Sequence, residues 1–160
     1  GVEEIIEMDI NKNSAIKYYF ENFHSPLVVI FSGSPNDEWF IEKLRVVFLK
    51  QDIYCAEHIC SAHKKTVELL AILEHYNSFR KFNRKLIFIT VAGRSNALSG
   101  VVACNTSYPV ITSPPFSDNM DMTVNINSSI QMPSNVPTMT ILEPSNIALS
   151  CKRIFDLSNL

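Results

Sequence analysis

The segment Ser25–Asp37, SPLVVIFSGSPND, sets a short run rich in β-branched residues against a stretch of Gly, Pro, Asn and Asp. The run reads as a strand and the punctuation after it as a loop. From Asp37 onward Trp39, Phe40, Leu44, Val47 and Phe48 recur at helical spacing, with acidic residues early and basic ones late, as the helix dipole favours. The chain then repeats this unit of strand, loop and helix. IYCAEHI (53–59) and KLIFITV (85–91) read as strands; KKTVELLAILEHYNSF (64–79) and the shorter SNALSGVVACNT (95–106) read as the helices that follow them. YPVIT (108–112) and TMTIL (138–142) complete the strands. A short helix is expected near Met120–Ile130, and a terminal one from Pro144, whose ring suits a first helical turn. Ile147, Leu149, Cys151, Ile154, Phe155 and Leu157 give that last helix apolar surface. Upstream, SAIKYYFENF (14–23) predicts one more helix behind the acidic EEIIEMD (3–9).

Strands that alternate with helices pair in parallel through right-handed crossovers, because a parallel strand must be re-entered from the same end. The expected fold is α/β: a three-layer α/β/α sandwich with a central parallel sheet, flavodoxin-like. In such open sheets ligands bind outside the carboxyl ends of the strands, where strand order reverses. SGSPND (32–37), CSAHK (60–64) and AGRSN (92–96) each follow a predicted strand. Three loops distant in sequence are therefore expected to converge on one edge.

Composition narrows what such an edge can bind. A chain of 160 residues can bury one sizeable core, so one domain is expected. Fourteen basic against sixteen acidic residues, net charge -2, leave no block of one sign and no basic stripe for nucleic acid. An anionic ligand must be held locally. The apolar runs are far shorter than a membrane span, and the N-terminus has neither a signal-type apolar core nor an initiator Met. A soluble piece of a longer protein is the expectation. Cys55, Cys60, Cys104 and Cys151 form no CxxC pair and each sits among apolar or small residues, as reduced core thiols do in a reducing compartment such as the cytosol. The four histidines supply no clustered ligand set for zinc, so no metal is expected.

Each loop admits a functional and a plain structural reading. Gly33 lets backbone approach a ligand, Ser34 offers a hydroxyl, and Asp37 can accept hydrogen bonds; helix capping accounts equally well for Asn36 or Asp37. His63 belongs to the residue type that moves a proton at little cost near neutral pH, but a lone histidine also serves as a helix-entry or core residue. His58 has no such context and reads as structural. In AGRSN a Gly precedes a cation, a hydroxyl and a carboxamide at a predicted helix start, where free N–H groups favour anions; a capped turn with a solvated Arg94 is the alternative.

Taken in order, GSxxD after the first strand, SAHK after the second, AGRSNALSG after the third, then YPVI, SPP, SSIQMPS and LEPSNIAL resemble the phosphoribosylaminoimidazole carboxylase (AIR carboxylase) family over roughly Pro26–Leu157. SAHK with AGRSN resembles the class II carboxylases that use carbon dioxide directly; mutases of the superfamily usually carry SAHR and a Gly-rich third loop. The resemblance implies carboxylation of 5-aminoimidazole ribonucleotide by carbon dioxide in de novo purine synthesis, with no metal, biotin or ATP. The alternatives are an N-carboxyaminoimidazole ribonucleotide mutase, or a catalytically impaired domain kept for oligomerisation or nucleotide binding. It further implies His63 as proton carrier and Gly33, Ser34, Asn36, Asp37, Ser61, Lys64 and Arg94 as substrate-binding residues. Lys64 would neutralise phosphate, and Ser95 and Asn96 would form the carbon dioxide site. Asn36, Gln131 and Asn135 depart from the Ser, Arg and Gly usual at those positions, and only four glycines serve the whole chain. In animals the domain follows a SAICAR synthetase domain, so residues 1–24 are expected to be linker and entry helix and 25–160 the carboxylase domain. A homo-octamer is the assembly expected of the family.

Overall fold

The computed structural model describes residues 25–159, so the helix expected over 14–23 lies outside the described residues. Five parallel strands, β1 (Leu27–Ser32), β2 (Tyr54–Ile59), β3 (Leu86–Val91), β4 (Val110–Thr112) and β5 (Met139–Thr140), lie in the order β2-β1-β3-β4-β5. Five helices connect or follow them: α1 (Glu38–Lys50), α2 (Thr66–Asn77), α3 (Ala97–Cys104), α4 (Asn119–Ile130) and α5 (Pro144–Asp156).

Every residue of β1 and β3 is buried, because helices cover both faces of the sheet. One face sends Leu27, Val29, Phe31 and Phe88 against Leu69, Leu73 and Tyr76 of α2 and Leu98 and Val102 of α3. The other sends Val28, Ile30, Ile87 and Ile89 against Phe40, Leu44 and Phe48 of α1 and Ile147, Cys151 and Phe155 of α5. Each such side chain, fully withdrawn from water, contributes about 1.5–3 kcal/mol before entropy is counted. The three layers of the expected sandwich follow from these two cores.

Several local expectations need correction. β5 spans only Met139–Thr140 of the five residues predicted, since it pairs with β4 alone at the sheet edge; Ile141 N–H to Thr112 C=O, 3.2 Å, adds one more rung. Trp39 shares the helical spacing of the core residues but is 43% exposed, with the Lys43 ammonium 5.0 Å from its ring. Leu149 and Leu157 are exposed as well. Cys55, Cys60 and Cys151 are buried free thiols, whereas Cys104 is exposed at the last turn of α3. Burial pushes the Cys60 thiol up to about 11 and that of Cys151 up to about 12, so both stay protonated core groups.

The scarcity of glycine has a conformational answer. Among the described residues no glycine has positive φ; Asp52, Asn83, Ser95 and Asn135 take the left-handed turns instead. Asp and Asn tolerate that region better than other non-glycine residues. Asn135, at φ 66°, is thus a conservative replacement for the glycine usual there.

Candidate active site

β1 is flanked by β2 on one side and β3 on the other, so the chain reverses its direction of travel across the sheet at this strand. The loops leaving β1, β2 and β3 meet above that reversal. Gly33 N–H donates to Val91 C=O at 3.0 Å and Cys60 N–H to Ser32 C=O at 2.9 Å, extending the ladders and holding the three loop roots side by side. Between them lies a cleft of about 300 Å³ lined by polar residues of all three loops, with Ala62, Ala92, Gly93 and Leu98 completing its wall.

Ser34 sits in extended backbone and accepts the Asn36 N–H on Oγ at 3.1 Å, so it caps the short 3-10 turn Pro35–Asp37. Asp37 occupies the cap position of α1 but makes no side-chain capping bond. Capping therefore falls to Ser34, and the half-buried Asp37 carboxylate faces the cleft without that task. Burial raises its pKa above the ordinary value, and a hydrogen bond from the Ser34 backbone offsets part of that rise.

The second loop is a tight turn. Lys65 N–H donates to Ser61 C=O at 2.8 Å, Lys64 N–H to Ser61 Oγ at 3.3 Å, and Thr66 Oγ1 to Ala62 C=O at 2.5 Å. The turn presents Ser61 and an exposed His63 to the cleft. Lys64, next along the turn, is exposed and is not among the residues that line the cleft. His58 is buried, its Nε2 2.7 Å from the Tyr76 hydroxyl, in keeping with the structural role expected of it.

The third loop is more constrained. Gly33 and Gly93 both line the cleft, and a Cβ at Gly93 would come within 3.2 Å of Asn125 Nδ2. Arg94 lines the cleft while its Nη2 donates to Asp121 Oδ1 at 2.7 Å, which holds the Asp121 carboxyl below its ordinary range. Ser95 lines the cleft at φ 52°, and Ala97 N–H closes a tight turn onto Ser95 C=O at 2.7 Å. Asn96, expected in the pocket, is buried beneath it. Its Oδ1 accepts from Ser99 N–H and Ser99 Oγ, and its Nδ2 donates to Thr112 Oγ1 and Ser129 Oγ. Every side-chain atom that could meet a ligand is already engaged, so Asn96 caps α3 and braces the floor. Of the amides at this helix start, those of Asn96, Ala97 and Ser99 are also taken.

Sequence reasoning missed Asp121, Asn125, Ser128 and Ser129 of α4. The spacing of these small polar residues, on one face of a predicted helix, was the available signal.

A sequence model of the AIR carboxylase family matches residues 27–160. The chain belongs to the AIR carboxylase family. It is 43% identical over 131 residues to the phosphoribosylaminoimidazole carboxylase of Archaeoglobus fulgidus, covering 82% of this chain and 69% of that one. To the bifunctional phosphoribosylaminoimidazole carboxylase/phosphoribosylaminoimidazole succinocarboxamide synthetase of Drosophila melanogaster it is 40% identical over 83% of its own length, but it spans only 30% of that protein. The crystal structure of Treponema denticola PurE superposes with a TM-score of 0.76 at 39% identity, over 82% of this chain and 81% of that one. The sheet and the convergence of three loops are accordingly features of an AIR carboxylase fold. Of the departures from the family pattern, Asn36 lines the cleft, whereas Gln131 sits exposed at the end of α4.

Proposed function

We propose that this chain carboxylates 5-aminoimidazole ribonucleotide with carbon dioxide, giving 4-carboxy-5-aminoimidazole ribonucleotide in purine biosynthesis, as a carboxy-lyase that needs no ATP. The observation that carries this reading is the cleft at the β1/β3 reversal, where Asp37, His63 and Ser95 from three loops meet. Its volume, about 300 Å³, lies at the small end of ligand pockets.

The substrate supplies the nucleophile. Its electron-rich ring carbon beside the amine attacks carbon dioxide as an enamine, a carbon–carbon bond forms, and one C=O electron pair moves onto oxygen. Loss of the ring proton then restores aromaticity. The protein must orient two reactants, exclude water, stabilise the new carboxylate and accept that proton. His63 is assigned the proton. Gly33, Ser34, Asn36, Asp37 and Ser61 hold the nucleotide, Arg94 offers it a cation, and Ser95 contacts carbon dioxide. The exposed Lys64 is assigned only a long-range attraction for the phosphate, and the buried Asn96 the support of the loop beneath Ser95.

The carboxylase domain is assigned to residues 25–160, and a tethered SAICAR synthetase domain is proposed on the likeness to the bifunctional Drosophila melanogaster relative. Buried free thiols suit a cytosolic location. A homo-octamer is proposed, with exposed Leu149 of α5 and exposed Leu157 just beyond it available for contact. A monomer in sedimentation at micromolar concentration contradicts that assembly. The activity is tested by incubating the chain with aminoimidazole ribonucleotide and bicarbonate, with and without ATP. Equal product in both is expected; strict ATP dependence, or none in either, rejects the reading.

A further inference from the structure

The third loop is gripped, residue by residue, by one face of α4. Asp121 takes Arg94, Asn125 packs against Gly93, Ser128 Oγ accepts the Asn96 N–H at 2.6 Å, and Ser129 Oγ accepts Asn96 Nδ2 at 3.0 Å. These four helix positions are spaced by four, three and one, which places them on a single stripe. Ser95, between the gripped Arg94 and Asn96, lines the cleft together with Gly93 and Arg94, and it is held at φ 52°. A non-glycine residue in that left-handed conformation is strained and persists only when its surroundings impose it.

α4 is otherwise poorly suited to be a structural helix. Its buried residues are Asn125 and Ser129, and no residue of it belongs to either apolar core. Its attachment is polar and directed at the loop. Below the loop the arrangement continues with a consistent set of donors and acceptors. Ser129 Oγ donates to Asn125 C=O at 2.9 Å while accepting from Asn96; Thr112 Oγ1 accepts from Asn96 Nδ2 at 3.1 Å and lies 2.7 Å from Ser99 Oγ; Ser99 Oγ lies 2.7 Å from Thr90 Oγ1. With the Thr90 and Thr112 hydroxyls donating to Ser99, and Ser99 donating to Asn96 Oδ1 at 2.9 Å, every hydroxyl proton has an acceptor. Thr90 and Thr112 are register partners on β3 and β4, so the network is anchored in the sheet itself.

We propose that Ser128 and Ser129 of α4 are positioning residues that fix Ser95 for carbon dioxide, setting how the enzyme captures the gas and not how it binds the nucleotide. The proposal rests on the assignment of Ser95 to carbon dioxide. Ser128 is the sharper handle because it is only half-buried and bonds the loop backbone directly. Removing its hydroxyl orphans the Asn96 amide and frees the backbone one residue from Ser95; misplacement on this scale acts on reactant geometry.

The test uses the full chain as wild type, Ser128→Ala and Ser128→Thr. Expected for Ser128→Ala is a KM for carbon dioxide raised about tenfold, with affinity for aminoimidazole ribonucleotide within about twofold of wild type. Exchange of the Asn96 amide hydrogen should accelerate about tenfold, since its acceptor is gone. Ser128→Thr keeps the hydroxyl and should restore both. An unchanged KM for carbon dioxide in Ser128→Ala overturns the proposal, as does a parallel loss of nucleotide affinity and melting temperature that threonine does not rescue. Failure of the wild type to carboxylate without ATP is a different result: it removes the functional reading, while unaltered Asn96 exchange in Ser128→Ala would by itself remove the clamp.

Discussion

Asp37→Asn separates binding from folding more cleanly than any other change in the cleft. The substitution keeps the shape of the side chain and removes its charge. Because Ser34 performs the local capping and Asp37 makes no side-chain cap bond, the helix loses no cap hydrogen bond. Burial holds the Asp37 pKa above its ordinary value. An acid whose folded pKa is raised stabilises the fold only below its unfolded value, near 3.9, and that contribution is lost as pH rises through the folded pKa. At pH 7 the carboxylate is therefore a cost, and the amide should melt at the same temperature or slightly higher, with the difference vanishing below about pH 4. Binding should move the other way. Each charge-assisted hydrogen bond lost to the ribose is worth about 1.5–3 kcal/mol, a weakening of roughly ten- to hundredfold. Titration calorimetry with aminoimidazole ribonucleotide and melting curves at the two pH values measure both halves. Unchanged affinity, or a melting point several degrees lower at pH 7, would assign Asp37 to helix stability instead of nucleotide binding.

His63→Asn keeps hydrogen-bonding capacity but cannot carry a proton, so turnover should fall roughly a hundredfold to ten-thousandfold with the nucleotide still bound and the melting point intact; near-normal turnover in an ATP-free assay removes the proton assignment. Lys64→Ala should weaken nucleotide binding by less than about fivefold, the worth of an exposed, solvated charge. A loss of thirtyfold or more would return the phosphate contact to Lys64.

What could be read from the chain followed burial. β1 and β3 are buried on both faces, so their runs are almost wholly apolar, with Thr90 the polar exception inside β3, and turn-forming residues lie close beyond their ends. β5 makes only an edge pairing, and five suitable residues overstate the two that form. Helical spacing placed Trp39 with the core because periodicity locates a face only to within a turn; the ring points to solvent. Asn96 shows the reach of a local reading. A carboxamide at a helix start looks alike as cap or ligand, and the partners that decide, Thr112 and Ser129, lie 16 and 33 residues away. The helix α4 is legible as an element, but its role is not: SSIQMPS is visible as a family signature, and only the packed structure shows that Ser128 and Ser129 bond to the third loop.

We propose that this cleft joins free carbon dioxide to the nucleotide without ATP. Its most direct test is the transfer of isotope from labelled bicarbonate to aminoimidazole ribonucleotide by the purified chain in ATP-free buffer, run beside unlabelled N-carboxyaminoimidazole ribonucleotide as competing substrate. Label is expected in the ring carboxylate of the product and is lost in His63→Asn. Product formed only from the N-carboxy isomer, unlabelled at the new carboxylate, would contradict it.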